Sequence, residues 1–256
     1  MTATPSPSEL AELAAEVAHD IGVEVGTRRA AGFSWTTKST STDVVTEIDT
    51  WAEEMVVQRI EATRPDDGFL GEEGTTSEGS TGIVWVIDPV DGTTNLLYDL
   101  PGFSVSIGVE VDGVPTAGAV FDPVRDELFV AALGQGATRN GNTISPSSKT
   151  ELQSALVATG FSYSPDERRE QAGALSTVLP NVRDIRRNGG AALDFCAVAC
   201  GRVDAYFERG IKPWDGAAGR VIAAEAGAVV EMDSMTMVAT PGIADALRAL
   251  LVEAGA

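Results

Sequence analysis

Residues 83–95 read Ile83-Val84-Trp85-Val86-Ile87-Asp88-Pro89-Val90-Asp91-Gly92-Thr93-Thr94-Asn95. The opening is a continuous apolar run, the pattern of a strand covered on both faces. The second part sets two carboxylates three positions apart, with hydroxyls and an amide behind them, where the strand should give way to a loop. An isolated Asp-Gly is an ordinary turn signal. The surrounding chain decides whether this one is only a turn.

Toward the C-terminus, residues 103–111, 113–121 and 127–132 are further strand-like runs. Asp112-Gly113, Asp122-Pro123 and the Gly-rich stretch 134–142 punctuate them, which predicts an antiparallel meander. Toward the N-terminus, Ser6-Pro7-Ser8-Glu9 predicts a helix start, with Ser6 as N-cap, Pro7 at the first position and Glu9 three after the cap. Leu10, Leu13, Ala14, Val17, Ile21 and Val25 then recur at helical spacing. A second helix is expected from about Asp49 to about Arg64, broken by Pro65-Asp66-Asp67-Gly68, and residues 74–82 read as a surface loop. From about Glu151 short strands alternate with helices, most clearly helical over 189–200 and 215–226.

With 256 residues and 43% hydrophobic content, the chain suits one compact unit with two internally packed halves. The net charge of −20 disfavours nucleic acid and anionic membranes as partners. A small anionic substrate remains open if cations stand between it and the carboxylates. The single histidine, His19, falls in the first expected helix as a surface or helix-face residue, which removes a Ser-His-Asp triad, phosphohistidine chemistry and a His-ligated zinc site. Cys196 and Cys200 share one helix face, as reduced core cysteines of a cytosolic protein do. No apolar run approaches the ~18 residues of a membrane span, and no signal-peptide pattern is present, so a cytoplasmic protein is expected.

Further acidic residues flank the opening stretch. Glu72 and Glu73 follow Phe69-Leu70, Asp43 and Asp49 bracket Val44-Val45-Thr46, and Asp215 stands at the start of an Ala-rich helical run. Alone, Asp49 and Asp215 read as helix N-caps and Glu72-Glu73 as a solvated turn. Together, Asp88, Asp91 and Glu72 lie at element ends beside apolar segments, which converges carboxylates at one sheet edge. A divalent cation relieves their repulsion, and oxygen ligands favour Mg²⁺ over zinc. The Gly92-Thr93-Thr94 amides then offer an anion site. Carboxylates, a hard cation and anion-binding amides in one place point to metal-assisted phosphoryl hydrolysis. The spacing is neither an EF-hand nor an Asp-x-Asp phosphatase motif, and no Gly-x-x-x-x-Gly-Lys-Ser/Thr loop occurs.

WVIDPVDGTTN (85–95) after a Gly-Glu-Glu, with WDGAAGRVIAAEAG (214–227), resembles the inositol monophosphatase family of Mg²⁺-dependent, lithium-sensitive phosphatases. STDVVTEID (41–49), GQGATRNGN (134–142), GGAALDFCAVACGRVDAYFE (189–208) and VATP (238–241) match family-like segments in the same order. The resemblance implies a layered αβαβα sandwich, α+β then α/β. Residues 1–147 would form a half with a mostly antiparallel sheet and most metal ligands. Residues 148–256 would form a smaller α/β half supplying Asp215 and substrate contacts. It also implies a homodimer and two to three Mg²⁺ ions.

Carried over by residue, the resemblance gives Glu72, Asp88 and the Val90 carbonyl to a first metal, and Asp88, Asp91 and Asp215 to a second. Asp49, with Glu72, would support a third. Glu72 and Thr93 would orient a metal-activated water, and the Gly92 and Thr93 amides would grip phosphate. Asp91, Gly189, Ala191, Glu208 and Asp215 would face a polyol, with Lys38 near the entrance. The implied reaction is hydrolysis of inositol monophosphate to inositol and phosphate, without a covalent enzyme intermediate. Ala228 where a second Gly is common, a short 231–238 segment, and Asn188 and Gly190 around Gly189 depart from the family pattern. The last leaves the substrate open: histidinol phosphate, fructose 1,6-bisphosphate and 3′-phosphoadenosine phosphates are alternatives. A non-catalytic scaffold and a passive Ca²⁺-binding protein are the other two readings.

Overall fold

The computed structural model describes residues 5–256. Helix α1 (Pro7–Ala31) begins with the expected capping box: Ser6 Oγ accepts the Glu9 N–H, and the Glu9 carboxylate accepts the Ser6 N–H. A small hairpin, β1 (Trp35–Thr37) with β2 (Val44–Thr46), leads into α2 (Glu47–Glu61). This helix starts earlier than the sequence suggested, because Thr46 and not Asp49 is its N-cap. The Thr46 hydroxyl accepts the Ile48 and Asp49 N–H groups, while Asp49 accepts the Thr46 N–H at 2.9 Å. It also ends earlier, at Glu61, since Pro65 disfavours helical backbone at Arg64.

Next come β3 (Gly68–Gly71), β4 (Thr76–Ser77), β5 (Ile83–Asp91), the short helix α3 (Thr93–Leu97), β6 (Ser104–Val111), β7 (Val114–Asp122), β8 (Glu127–Ala132), β9 (Gly136–Arg139) and β10 (Asn142–Thr143). They form one eight-stranded sheet in the order β10-β9-β8-β7-β6-β5-β3-β4. Every pairing is antiparallel except β3 with β5. Two expectations need correcting. The 74–82 loop contains β4, which pairs with β3. The stretch from Asp88 to Asp91 is the end of β5 and no loop; its register against β6 shifts between Asp88 and Asp91. Pro89 lacks a donor, and a bulge is where a sheet tolerates that. The turn itself falls at Gly92, whose φ of 88° suits glycine.

The remaining elements are β11 (Leu156–Thr159), α4 (Pro165–Val178), β12 (Asp184–Arg186), α5 (Ala191–Ala199), β13 (Ala205–Arg209), α6 (Pro213–Ala226), β14 (Val229–Met232), β15 (Met235–Ala239) and α7 (Ala244–Ala254). Their strands make a second sheet, ordered β12-β11-β13-β15-β14, parallel around β11 and antiparallel around β15. Asp215 is not the α6 N-cap: that place belongs to Lys212, whose N–H donates to the Asp215 carboxylate at 2.6 Å.

The layers stack as αβαβα. Helices α1 and α2 bury Ala14, Val17, Ala52 and Val56 against Trp85, Ile107 and Val109 of the large sheet. Helices α5 and α6 fill the space between the sheets, where Phe195, Ala218 and Ile222 meet Val120, Phe129, Tyr206 and Val238. Helices α4 and α7 cover the outer face of the small sheet through Val178, Leu247 and Leu251. The approach of α6 to the large sheet depends on glycine. A Cβ at Gly108 would lie 2.6 Å from Ala217 Cβ, and one at Gly118 would lie 2.7 Å from the Ala218 carbonyl oxygen. His19 is half exposed, its ring 4.9 Å from that of Phe121; Cys196 and Cys200 are free thiols. No helix among the described residues is long and apolar enough to cross a membrane.

Candidate active site

The C-terminal end of β5, the turn after β3, and the first turns of α3, α5 and α6 open into one cavity of about 540 Å³. Lys38, Glu72, Asp88, Val90, Asp91, Gly92, Thr93, Gly189, Ala191, Glu208 and Asp215 all line it. Asp49 alone among the expected residues stands behind the wall, where its carboxylate accepts the Thr93 hydroxyl proton at 2.8 Å. Thr93 Oγ1 also lies 3.1 Å from the Val90 carbonyl. The turn after Asp91 is therefore tied to α2 from below.

Charge is concentrated on the cavity floor. Burial pushes Asp88 well above the usual carboxylate range, and Glu72, Asp91 and Asp215 push it further. Burial and then Asp215 do the same to Asp91, although the Ala191 and Ala192 N–H groups pull it back, at 3.0 and 2.9 Å. Those two bonds set the Asp91 carboxyl at the N-terminus of α5, one hundred positions downstream. Burial raises Asp215 to about 7 against the opposing hydrogen bond from Lys212. It also raises Asp49, held down in part by the Thr46 and Thr93 hydroxyls.

Lys38 Nζ donates to Glu72 at 2.9 Å and to Glu73 at 2.5 Å. Burial draws the Lys38 ammonium down, but Glu72 and Glu73 outweigh it and leave it above the usual lysine range. At Glu73 the balance falls the other way. Burial lifts it to about 7 despite the same lysine, so desolvation dominates on the carboxylate side of the pair.

The far wall comes from the second half of the chain. Glu208, on β13, accepts a hydrogen bond from the buried Tyr206 hydroxyl at 2.7 Å. Gly189 has a φ of 103°, and its loop is pinned by Asn95 Nδ2, which donates to Asn188 O at 2.7 Å and to Gly102 O at 2.8 Å. The structure adds lining residues that sequence reasoning passed over: Tyr163, Arg187, Asp194 and Lys212. Asp194 carried a signal, being one charge inside an otherwise apolar helical run. Burial raises it to about 7, with Asn188 opposing. Arg187 and Tyr163 carried none beyond nearness to Gly189 or to a loop.

Residues 6–245 match the inositol monophosphatase family. This chain belongs to the inositol monophosphatase family. The inositol-1-monophosphatase SuhB of Mycobacterium tuberculosis is 42% identical over 96% of this chain and 94% of that protein. The solved structure of Mycobacterium tuberculosis SuhB superposes with a TM-score of 0.87 at 40% identity, covering 98% of both chains. The Nus factor SuhB of Xylella fastidiosa is 45% identical over 73% of this chain and 68% of its own length. The layered fold is thus that of the inositol monophosphatase family.

The family is metal-dependent, and the residues present bear on that. Every candidate donor on the floor is oxygen: Glu72, Asp88, Asp91, Asp215 and the Val90 carbonyl. Such a set suits a hard divalent cation. Burial and then mutual repulsion raise Asp88 and Asp91, and a cation would relieve both. Among the described residues no three His, Cys, Asp or Glu side chains already converge at coordinating separation. Each floor carboxylate instead leans on a local partner: Lys38 for Glu72, the Val90 N–H for Asp88, α5 for Asp91 and the Lys212 N–H for Asp215. The chemistry of the donor set fits such a cation.

Proposed function

We propose that this protein is a Mg²⁺-dependent phosphomonoesterase that hydrolyses inositol monophosphate. The observation that carries the reading is the group of buried, mutually repelling carboxylates on the floor of a cavity large enough for a small phosphate ester. Uncompensated buried charge is costly, and a fold keeps it where a ligand completes it. Glu72, Asp88, the Val90 carbonyl, Asp91 and Asp215 would hold two cations, with Asp49 and Glu72 supporting a third through water. When bound, the cations offset the phosphate charge and acidify a water.

The protein groups do the rest. Because the Thr93 hydroxyl donates to Asp49, its lone pairs stay available to accept from a water in the cavity. Glu72 supplies a second acceptor, and the two together aim that water. The Gly92 and Thr93 amides, at the start of α3, would hold phosphate oxygens. Glu208, kept in one orientation by Tyr206, accepts from substrate hydroxyls, and Gly189 and Ala191 shape the wall beside it. Lys38, already paired with Glu72, balances charge at the rim.

Phosphate release should be followed with and without Mg²⁺ on inositol 1-phosphate, histidinol phosphate, fructose 1,6-bisphosphate and 3′-phosphoadenosine 5′-phosphate. Preference for the inositol ester supports the full reading, and preference for another ester moves the substrate but keeps the chemistry. A second reading, a role other than hydrolysis, draws support from the Nus factor name of the Xylella relative. No Mg²⁺-dependent release from any ester would favour it.

A further inference from the structure

Helix α2 carries two buried carboxylates four residues apart, Asp49 and Glu53, exposed by 1% and 2%. Residues at this spacing share a helix face. Asp49 braces the turn after β5 through Thr93. Glu53 braces a different turn. Its Oε2 accepts the Glu73 N–H at 2.8 Å, and its Oε1 accepts the Thr75 N–H at 2.9 Å. The two bonds grip the backbone immediately after Glu72.

The rest of that turn is equally constrained. The Gly71 N–H donates to the Thr75 carbonyl at 2.7 Å, and the Glu72 N–H donates to the Ile87 carbonyl at 3.1 Å. Gly71 makes room for the brace, since a Cβ there would fall inside the Glu53 carboxyl. Given the hydrolase reading above, we propose that Glu53 is the positioning residue for Glu72. It fixes the turn that aims Glu72 at the cation and water positions. Asp49 and Glu53, on successive turns of one rigid helix, thereby set the spacing between Thr93 and Glu72. A carboxylate is required because both of its oxygens accept, whereas a glutamine would turn an NH₂ donor toward one of the two N–H groups.

The test compares the full-length wild type with Glu53→Gln and Gly71→Ala. Gly71→Ala keeps Glu53 but displaces its carboxyl from the opposite side, so the same shift is expected from either change. Mg²⁺ titrations read by thermal shift give the metal midpoint, phosphate release gives KM and kcat, and amide exchange at Glu73 and Thr75 reports the brace. Both variants should exchange faster at those amides and need about 10–100-fold more Mg²⁺, the usual effect of losing a partner behind a metal ligand. Substrate KM at saturating Mg²⁺ should hold. A folded Glu53→Gln protein with faster exchange but an unmoved Mg²⁺ midpoint overturns the Glu53 assignment alone. A wild type indifferent to Mg²⁺ overturns the hydrolase reading and this assignment with it.

Discussion

Gly108→Ala tests how tightly the inner helix layer is coupled to the cavity. The new Cβ would lie 2.6 Å from Ala217 Cβ, 2.7 Å from the Ala217 carbonyl carbon and 2.9 Å from Ala218 N. Two of those atoms are helix backbone, so no side chain can swing aside. Gly108 is not among the positive-φ glycines, so alanine brings no backbone strain and any effect is steric. Ordinary carbon contacts sit near 3.5–4.0 Å, so α6 must retreat from the sheet by about 1 Å. Overpacking of this kind costs about 1–3 kcal/mol, read as a lower urea midpoint at unchanged slope. Asp215 stands in the first turn of the same helix and retreats with it. A displacement of about 1 Å in a positioned group is enough for about a 100-fold loss of rate. Phosphate release at saturating Mg²⁺ is the second assay. A variant within about 0.5 kcal/mol of wild type, the range of neutral surface changes, and with unchanged kcat would refute the coupling.

Three other outcomes are expected. Asp91→Asn should lower phosphate release by at least about 100-fold, and because Asn has one acceptor for the two α5 N–H groups it should also cost about 1–3 kcal/mol in urea unfolding. Asp194 rises from its ordinary 3.8 to about 7 on burial, so the fold resists its ionised form. Its contribution is intact below about pH 4 and is lost as pH climbs toward 7, by at most about 4 kcal/mol; in EDTA, Asp194→Asn should therefore lose less stability than wild type between pH 5 and pH 8. Tyr206→Phe removes the donor to Glu208, which should raise substrate KM several-fold, roughly the factor of one hydrogen bond, and leave kcat nearly unchanged.

What the sequence disclosed is what short windows encode. The capping box at Ser6 and Glu9 and the apolar run before Asp88 depend on neighbours within a few positions, and both are present as expected. The candidate residues other than Asp49 likewise gather at one cavity, with Glu72, Asp88 and Asp91 standing where apolar elements end. What stayed hidden depends on distant partners. Thr46 takes the cap that Asp49 was expected to fill, which frees Asp49 to meet Thr93 forty-four positions away. The strand continues through Asp88 and Asp91 because β6 pairs with both, a contact no turn propensity at Asp-Gly reports. Lys38 meets Glu72 across 34 positions, and Glu53 meets Thr75 across 22. Nothing local marks either pair.

The two hydrogen bonds from α5 to Asp91 have a consequence for descent. One side chain serves both the proposed chemistry and the anchoring of a helix from the other half of the chain. A lineage that abandoned hydrolysis would still be penalised for replacing it, through stability alone. Retention of this aspartate in a relative therefore testifies to an intact architecture and says little about whether that relative still turns over an ester. Thr93 is bound in the same way, because its hydroxyl ties the turn after Asp91 to Asp49 on α2, so its retention is equally silent about turnover.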